Sequence, residues 1–171
     1  MKYLLSERAL LKVSGPDAET FLQSQLSNDI TKLDRSRIQL NAYCQHQGKI
    51  IGLLWVIRND ESFFISFPKD LLETIKSRFL MFVIMSDVVI EDVSSSYNQI
   101  GLIDEKQSNG YSINDRLSLK IENRTEKTNS KVDDNIEWTL ASIKSFLPEI
   151  FMATREKFVP QMLNLDIDEI G

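Results

Sequence analysis

With 171 residues, 42% of them hydrophobic and 26% charged, the chain has the make-up of an ordinary globular protein, long enough for one core or for a domain with an appendage. A formal net charge of −5 without a long basic run argues against tight nucleic-acid binding. The single cysteine, Cys44, excludes an internal disulfide framework and any metal or cluster site built from this chain's thiolates alone.

The start, Met1 to Arg8, carries too short an apolar run for a signal peptide. The longest apolar run, Phe79 to Met85, falls far below the roughly 20 residues that span a bilayer. These features predict a soluble, cytoplasmic protein in a reducing compartment. Ala9 to Val13 reads as a strand, and Ser14-Gly15-Pro16-Asp17 as the start of a helix whose apolar face is Ala18, Phe21, Leu22 and Leu26. Gln39 to Gln45 and Ile50 to Ile57 read as strands joined by a turn at Gln47-Gly48-Lys49, and Phe63 to Phe67 as a third.

Pro68 opens a second predicted helix with Leu71, Leu72, Ile75 and Phe79 on one face. Phe82 to Met85 and Val88 to Val93 read as extended chain, and Ile100 to Ile103 and Leu117 to Ile121 as further strands. Glu122 to Asn135 is polar and reads as a loop. A third helix, capped by Asp133 or Asp134 and ended by Pro148, is predicted to bury Ile136, Leu140, Ile143 and Leu147. The tail from Glu149 has little period and ends in acidic residues, read as a solvated terminus. Together these elements predict an α+β fold with a mainly antiparallel sheet and helices packed on one face.

No segment matches a phosphate loop, a zinc motif or a nucleophile elbow. A Cys44–His46 pair shares one strand face, which does not by itself put thiol and imidazole in hydrogen-bonding geometry. Trp55, in an apolar strand, reads as core. Trp138 suits either packing or the wall of a ligand pocket. Asn28-Asp29 reads as a helix-end turn, because such side chains bond nearby backbone. The Met and Phe cluster at Phe79 to Met85 reads as core filler.

Four segments, in order, resemble the YgfZ branch of the glycine cleavage T-protein superfamily. Leu10 to Ala18 with Phe21 to Ile30 is similar to the strand–GxDA–helix–NDI opening. Ala42 to Ile50 is similar to the hairpin that follows, and Phe79 to Val93 to a later segment ending in a strand. Phe158-Val159-Pro160-Gln161-Met162-Leu163-Asn164-Leu165 is similar to the F-[IV]-P-Q-x-x-N-L signature.

The resemblance implies a folate-binding domain like that of the T protein. It would have an amino-terminal α+β folate-binding subdomain at 1–95 and a second α+β subdomain at 96–171, incomplete at its carboxy-terminal end. It also implies a K-G-C-x-x-G-Q segment and a barrel beyond Gly171.

The implied cofactor is tetrahydrofolate or another reduced folate, held by Trp138, Arg8, Asn28, Asp29 and Tyr43. The implied role is that of an accessory protein in iron–sulfur cluster assembly or repair, supporting tRNA-modifying iron–sulfur enzymes. Its partners would be iron–sulfur proteins and the folate, with no direct nucleic acid and no membrane. The alternative is a folate-dependent aminomethyltransferase. Against it, the strand positions where that enzyme carries an acidic pair are Gly52 and Leu53, which can neither move a proton nor offset positive charge. Asp29 or Asp166 in the central pocket would revive the alternative. A further departure is Ser142-Ile143-Lys144-Ser145-Phe146-Leu147-Pro148, where related chains often read R-I-x-x-G-I-P.

Overall fold

The computed structural model describes residues 1–105, 110–124 and 135–165. Nine strands form two antiparallel sheets among these residues. The larger sheet contains β2 (Arg8–Ser14), β3 (Gln39–Cys44), β4 (Ile50–Asn59), β5 (Ser62–Pro68) and β6 (Val89–Asp92), in the order β3-β4-β5-β2-β6. The smaller contains β1 (Lys2–Leu4), β7 (Tyr97–Ile103), β8 (Tyr111–Ser112) and β9 (Leu117–Asn123), in the order β1-β7-β9-β8. The first strand of the chain thus joins the sheet otherwise built from residues beyond 96.

Helices α1 (Ala18–Gln25) and α2 (Leu72–Phe82) supply Phe21, Leu22, Ile75 and Phe79 to one core, under which lie Ala9, Leu11 and Val13 of β2 and Leu54 and Val56 of β4. Side chains alternate along a strand, so Leu10, Trp55, Ile57 and Phe64 point the other way. They meet Tyr3, Ile103, Leu117 and Leu119 of the smaller sheet in a second core. Burial on both faces explains why Ile50 to Ile57 is continuously apolar instead of alternating.

Gly15 takes φ +111° at the β2–α1 turn, where a Cβ would lie 2.3 Å from the Asp87 carbonyl oxygen. The segment Phe158 to Leu165 docks on the start of β4. Ile50 N donates to Phe158 O at 2.8 Å and Glu156 N to Ile50 O at 2.7 Å, while Phe158, Leu163 and Leu165 pack against the first core.

The edge of β3 is covered by the loop after α1. Ala42 N donates to Ser27 Oγ at 2.8 Å, Asn28 Nδ2 to Leu40 O at 2.6 Å, and Asn28 N to Asn41 Oδ1 at 2.9 Å. Side chains thereby satisfy backbone groups that a bare edge strand would leave open. Asn41 is fully buried at the centre of this stitch. Asn41→Ala is expected to cost about 1–3 kcal/mol, because it strands the Asn28 amide. Urea denaturation with an unchanged slope would register it as a shifted midpoint.

Three expectations change. The stripe Ile136, Leu140, Ile143 and Leu147 is not the buried face of α3 (Ile136–Lys144): the first three are exposed, Leu147 is partly buried, and the helix's buried residue is Trp138. The physical reason is Gly101, opposite which the indole lies so close that an added Cβ would be 2.6 Å from Cε3 and Cζ3. Seating the largest side chain of the helix in that notch turns the aliphatic stripe outward.

The Phe79 to Met85 cluster is not core filler as a whole. Phe79 is buried, but Leu80, Met81, Phe82, Ile84 and Met85 are exposed. Leu71, Ile75 and Phe79, four residues apart, already complete the inward stripe of α2. Finally, Phe82 to Met85 is not extended, because the helix runs through Phe82 and a turn closes it with Ser86 N donating to Val83 O at 2.8 Å. Asp133, Asp134 and the acidic end at Asp166, Asp168 and Glu169 lie outside the described residues, as does most of the predicted polar loop.

Candidate functional site

The lead-in to β3 ties the two sheets together. Ile38 N donates to Ser112 O and Ser112 N to Ser36 O, both at 2.8 Å. Beside this tie lies a cavity of about 400 Å³ bordered by β3 and β4 of the larger sheet, by the turn after β8 and by the end of α3. That volume falls within the roughly 300–1,000 Å³ of small-molecule sites. Its apolar border includes Leu40, Trp55, Ile113 and Leu147, and its polar border Asn28, Gln39 and Asn114. Lys32 and Arg37, both exposed, stand at its rim with Asp34.

A larger cleft of about 690 Å³ lies at the start of α1 and the β4–β5 turn. Its charges are mixed, and its central cation Arg58 is engaged by the Glu19 carboxylate and by the Leu33 and Ile30 carbonyls. With none of the anticipated site residues at its border, it fits a structural role.

Trp55 is the element of the cavity that connects outward. The Arg8 guanidinium carbon sits 3.7 Å from the centroid of its ring, a cation–π contact. Arg8 Nε donates to Ser66 Oγ at 2.8 Å, and Ser66 Oγ to Gln99 Oε1 at 2.5 Å. Gln99 Nε2 returns to the Arg8 and Ala9 carbonyls at 3.2 Å each. Arg8 Nη1 is paired with Glu149, whereas Nη2 is buried without a hydrogen-bond partner. Burial pulls the guanidinium below its ordinary value, and the Glu149 charge opposes that pull.

The anticipated residues separate into three groups. Asn28 borders the cavity, Arg8 stacks on Trp55 but borders a separate cleft with Leu5, Lys69 and Gln99, and Trp138 belongs to the same between-sheet core without bordering the cavity. Asp29 turns away to cap a short 3-10 turn: its carboxylate accepts from Thr31 N at 3.1 Å and Thr31 Oγ1 at 2.5 Å, with Lys32 at 3.5 Å. These Thr31 contacts hold it below the usual carboxylate range.

Tyr43 lies on the helix side of the larger sheet, its ring 5.0 Å from Phe79. Burial raises its phenol, and Arg78 partly offsets the rise. Trp55, Arg37 and Leu147 were not anticipated as site residues. The closely spaced cations Lys32 and Arg37 are a sequence signal that could have pointed to this rim.

The two strand positions of interest are closed to an acid. Gly52 faces α2, and a Cβ there would be 3.0 Å from Ile75 Cδ1 and 3.4 Å from Leu71 Cδ1. Leu53 is buried in an apolar cluster with Ile150. Asp34, at the cavity rim, accepts from Ser36 N and Ser36 Oγ at 2.6 Å each. Those bonds lower its pKa, which suits a turn-forming carboxylate better than a base. Cys44 is half-buried, burial raises its thiol, and His46 beside it is exposed in the hairpin turn. Among the described residues no cluster of His, Cys, Asp and Glu could hold a metal, and no helix is long and apolar enough to cross a membrane.

The profile of the GCVT N-terminal domain matches residues 5–103, more than half of the chain. An uncharacterized protein of Haemophilus influenzae is 31% identical over 174 residues, covering 96% of this chain and 60% of that protein. The tRNA-modifying protein YgfZ of Buchnera aphidicola is 25% identical over 195 residues, covering 95% of this chain and 61% of its own length. The aminomethyltransferase T of Bartonella henselae shares the fold, with a TM-score of 0.57 and 13% identity over 70% of this chain and 40% of that one. The chain therefore spans about three fifths of the length of the first two relatives. The matched opening, hairpin and paired antiparallel sheets agree: the chain is a YgfZ-type member of the GCVT, or glycine cleavage T-protein, superfamily.

Proposed function

We propose that this chain binds a reduced folate in the Trp55 cavity and acts in the cytoplasm as an accessory protein for iron–sulfur cluster assembly or repair. The observation that carries the reading is the combination of an aromatic wall, two rim cations and an under-satisfied guanidinium stacked on the Trp55 ring. A folate is a flat pterin and benzoyl unit with a carboxylate tail, so it matches such a surface in both shape and charge. Bound folate would supply a carrier for one-carbon units. The chain's own residues would stack on its rings at Trp55, accept and donate hydrogen bonds at Asn28 and Gln39, and attract its tail at Lys32 and Arg37.

Aminomethyl transfer is disfavoured as the alternative, because apolar packing fills the Gly52 and Leu53 positions. The name of the Buchnera relative supports a link to tRNA modification, and iron–sulfur enzymes of that process are the proposed partners. The net charge of −5 favours protein clients over direct nucleic-acid contact.

Isothermal titration with 5-formyltetrahydrofolate tests this. Saturable binding is expected, weakened about tenfold or more in Trp55→Leu, since each tenfold corresponds to about 1.4 kcal/mol. The absence of heat at about 1 mM ligand, where even a contact of about 4 kcal/mol registers, would overturn it.

A further inference from the structure

The Arg8 side chain is 7% exposed, while that of Glu149, its partner, is 32% exposed. The geometry points to a carboxylate-binding site centred on Arg8, in which Glu149 is an internal occupant that a ligand carboxylate displaces. The inference rests on the folate reading only for the choice of ligand.

Four observations carry it. First, the guanidinium does not depend on Glu149 for its position. It is stacked on Trp55 at 3.7 Å and held through Nε by Ser66, itself fixed by Gln99. A receptor that keeps its shape when its occupant leaves is preorganised. Second, Glu149 satisfies one end of the fork alone, so Nη2 remains buried without a partner. An arginine fork suits two parallel bonds to a carboxylate, and a buried donor left unmade is costly. A ligand carboxylate meeting both nitrogens would remove that cost, which Glu149 as placed does not.

Third, Glu149 belongs to the same stretch as Leu147, which borders the Trp55 cavity. This stretch has no regular secondary structure, and it follows a reversal at Phe146, where an exposed aromatic residue takes φ +53°. Moving this stretch would release Glu149 from Arg8. Fourth, Trp55 is shared, bordering the cavity and carrying the guanidinium. Arg8 itself borders a separate cleft of about 220 Å³ with Leu5, Lys69 and Gln99, which gives a carboxylate its own approach to the guanidinium.

The test compares the parent protein with Glu149→Gln, using N-(4-aminobenzoyl)-L-glutamate, 4-aminobenzamide (the ring without a carboxylate) and 5-formyltetrahydrofolate as probes in calorimetric titrations. Aminobenzoylglutamate is expected to bind Glu149→Gln about fivefold tighter or more, the size of a modest coupling between competing ligands. The benzamide should not discriminate between the two proteins. Arg8→Lys, which keeps the charge and loses the fork, should abolish the gain in the double variant. Should that variant fail to fold, the benzamide comparison still decides.

Equal or weaker binding of aminobenzoylglutamate to Glu149→Gln overturns the inference. Folate binding to the parent with no gain in Glu149→Gln overturns it too, while leaving the folate reading intact. A gain for aminobenzoylglutamate with no binding of 5-formyltetrahydrofolate supports the carboxylate site and overturns the folate reading.

Discussion

Gly52→Asp is expected to destabilise the protein by about 4 kcal/mol or more, and not to install transfer chemistry. Two costs act together. The new Cβ meets Ile75 Cδ1 at 3.0 Å and Leu71 Cδ1 at 3.4 Å, so α2 must shift. Overpacking of this kind costs about 1–3 kcal/mol. The carboxylate would also enter a cluster made of Ile75, Leu71, Leu54 and Phe79. An uncompensated buried charge costs about 3–5 kcal/mol. Set against a typical domain stability of about 5–15 kcal/mol, the variant should show a much lower urea midpoint or no cooperative transition. A variant as stable as the parent would mean that the β4–α2 contact yields to a side chain at this position.

Leu53→Asp, on the opposite face of the same strand, should be costly because it buries a carboxyl group without hydrogen-bond partners. Leu53 is almost fully buried, and the acid would lie among apolar groups. Its carboxyl would stay protonated at neutral pH, because burial disfavours the charged form. Stability should therefore fall further as pH rises through the elevated folded-state pKa. That sign is opposite to the one expected of an ion-paired acid.

The second large effect belongs to Gly101→Val. Trp138 occupies the space of the missing side chain, with ring carbons 2.6 to 2.9 Å from an ideal Cβ. Two additional methyl groups cannot share that volume, so the indole must leave. Losing a buried tryptophan from a core costs about 3–5 kcal/mol. The second core, where Trp138 meets residues from both sheets, would open.

The expected signs are a red-shifted tryptophan emission and a denaturation midpoint lowered in proportion. Gly101→Ala should produce a smaller shift of the same kind. Because Trp138 does not border the Trp55 cavity, 5-formyltetrahydrofolate binding by whatever fraction of Gly101→Ala remains folded should stay near the parent value. A large loss of binding with the fold intact would instead place Trp138 in direct contact with the ligand.

The elements legible in the sequence were short apolar runs bounded by turn residues and one helical stripe. Ala9 to Val13, Phe63 to Phe67 and the Leu71, Ile75, Phe79 stripe all lie where spacing placed them. β1 and β8, three and two residues long, carry no period to read and exist because longer neighbours offer them an edge. The α3 stripe misled because the helix is amphipathic in two ways. Its aliphatic row is real, but the notch at Gly101 rewards the indole more, and that notch belongs to a strand 37 positions away in the chain (138 − 101).

The site was legible only in part. Asn28 followed from the opening motif. Trp55 was hidden because a strand buried on both faces gives no sign of which of its residues borders a cavity. Arg8 drew notice by position, but its relay through Ser66 and Gln99 and its pairing with Glu149 are set by contacts 33 to 141 residues apart. Such contacts leave no local trace.

Nuclear magnetic resonance titration of the labelled protein with 5-formyltetrahydrofolate distinguishes the proposed folate position against Trp55 from any other. Saturable shifts of the Trp55 indole and of the Asn28, Arg37, Gln39 and Leu147 amides are expected, with the Tyr43 and Phe79 side of the sheet unmoved. Shifts gathered instead around Tyr43 and Arg78, or around the β4–β5 turn, with Trp55 silent would contradict it.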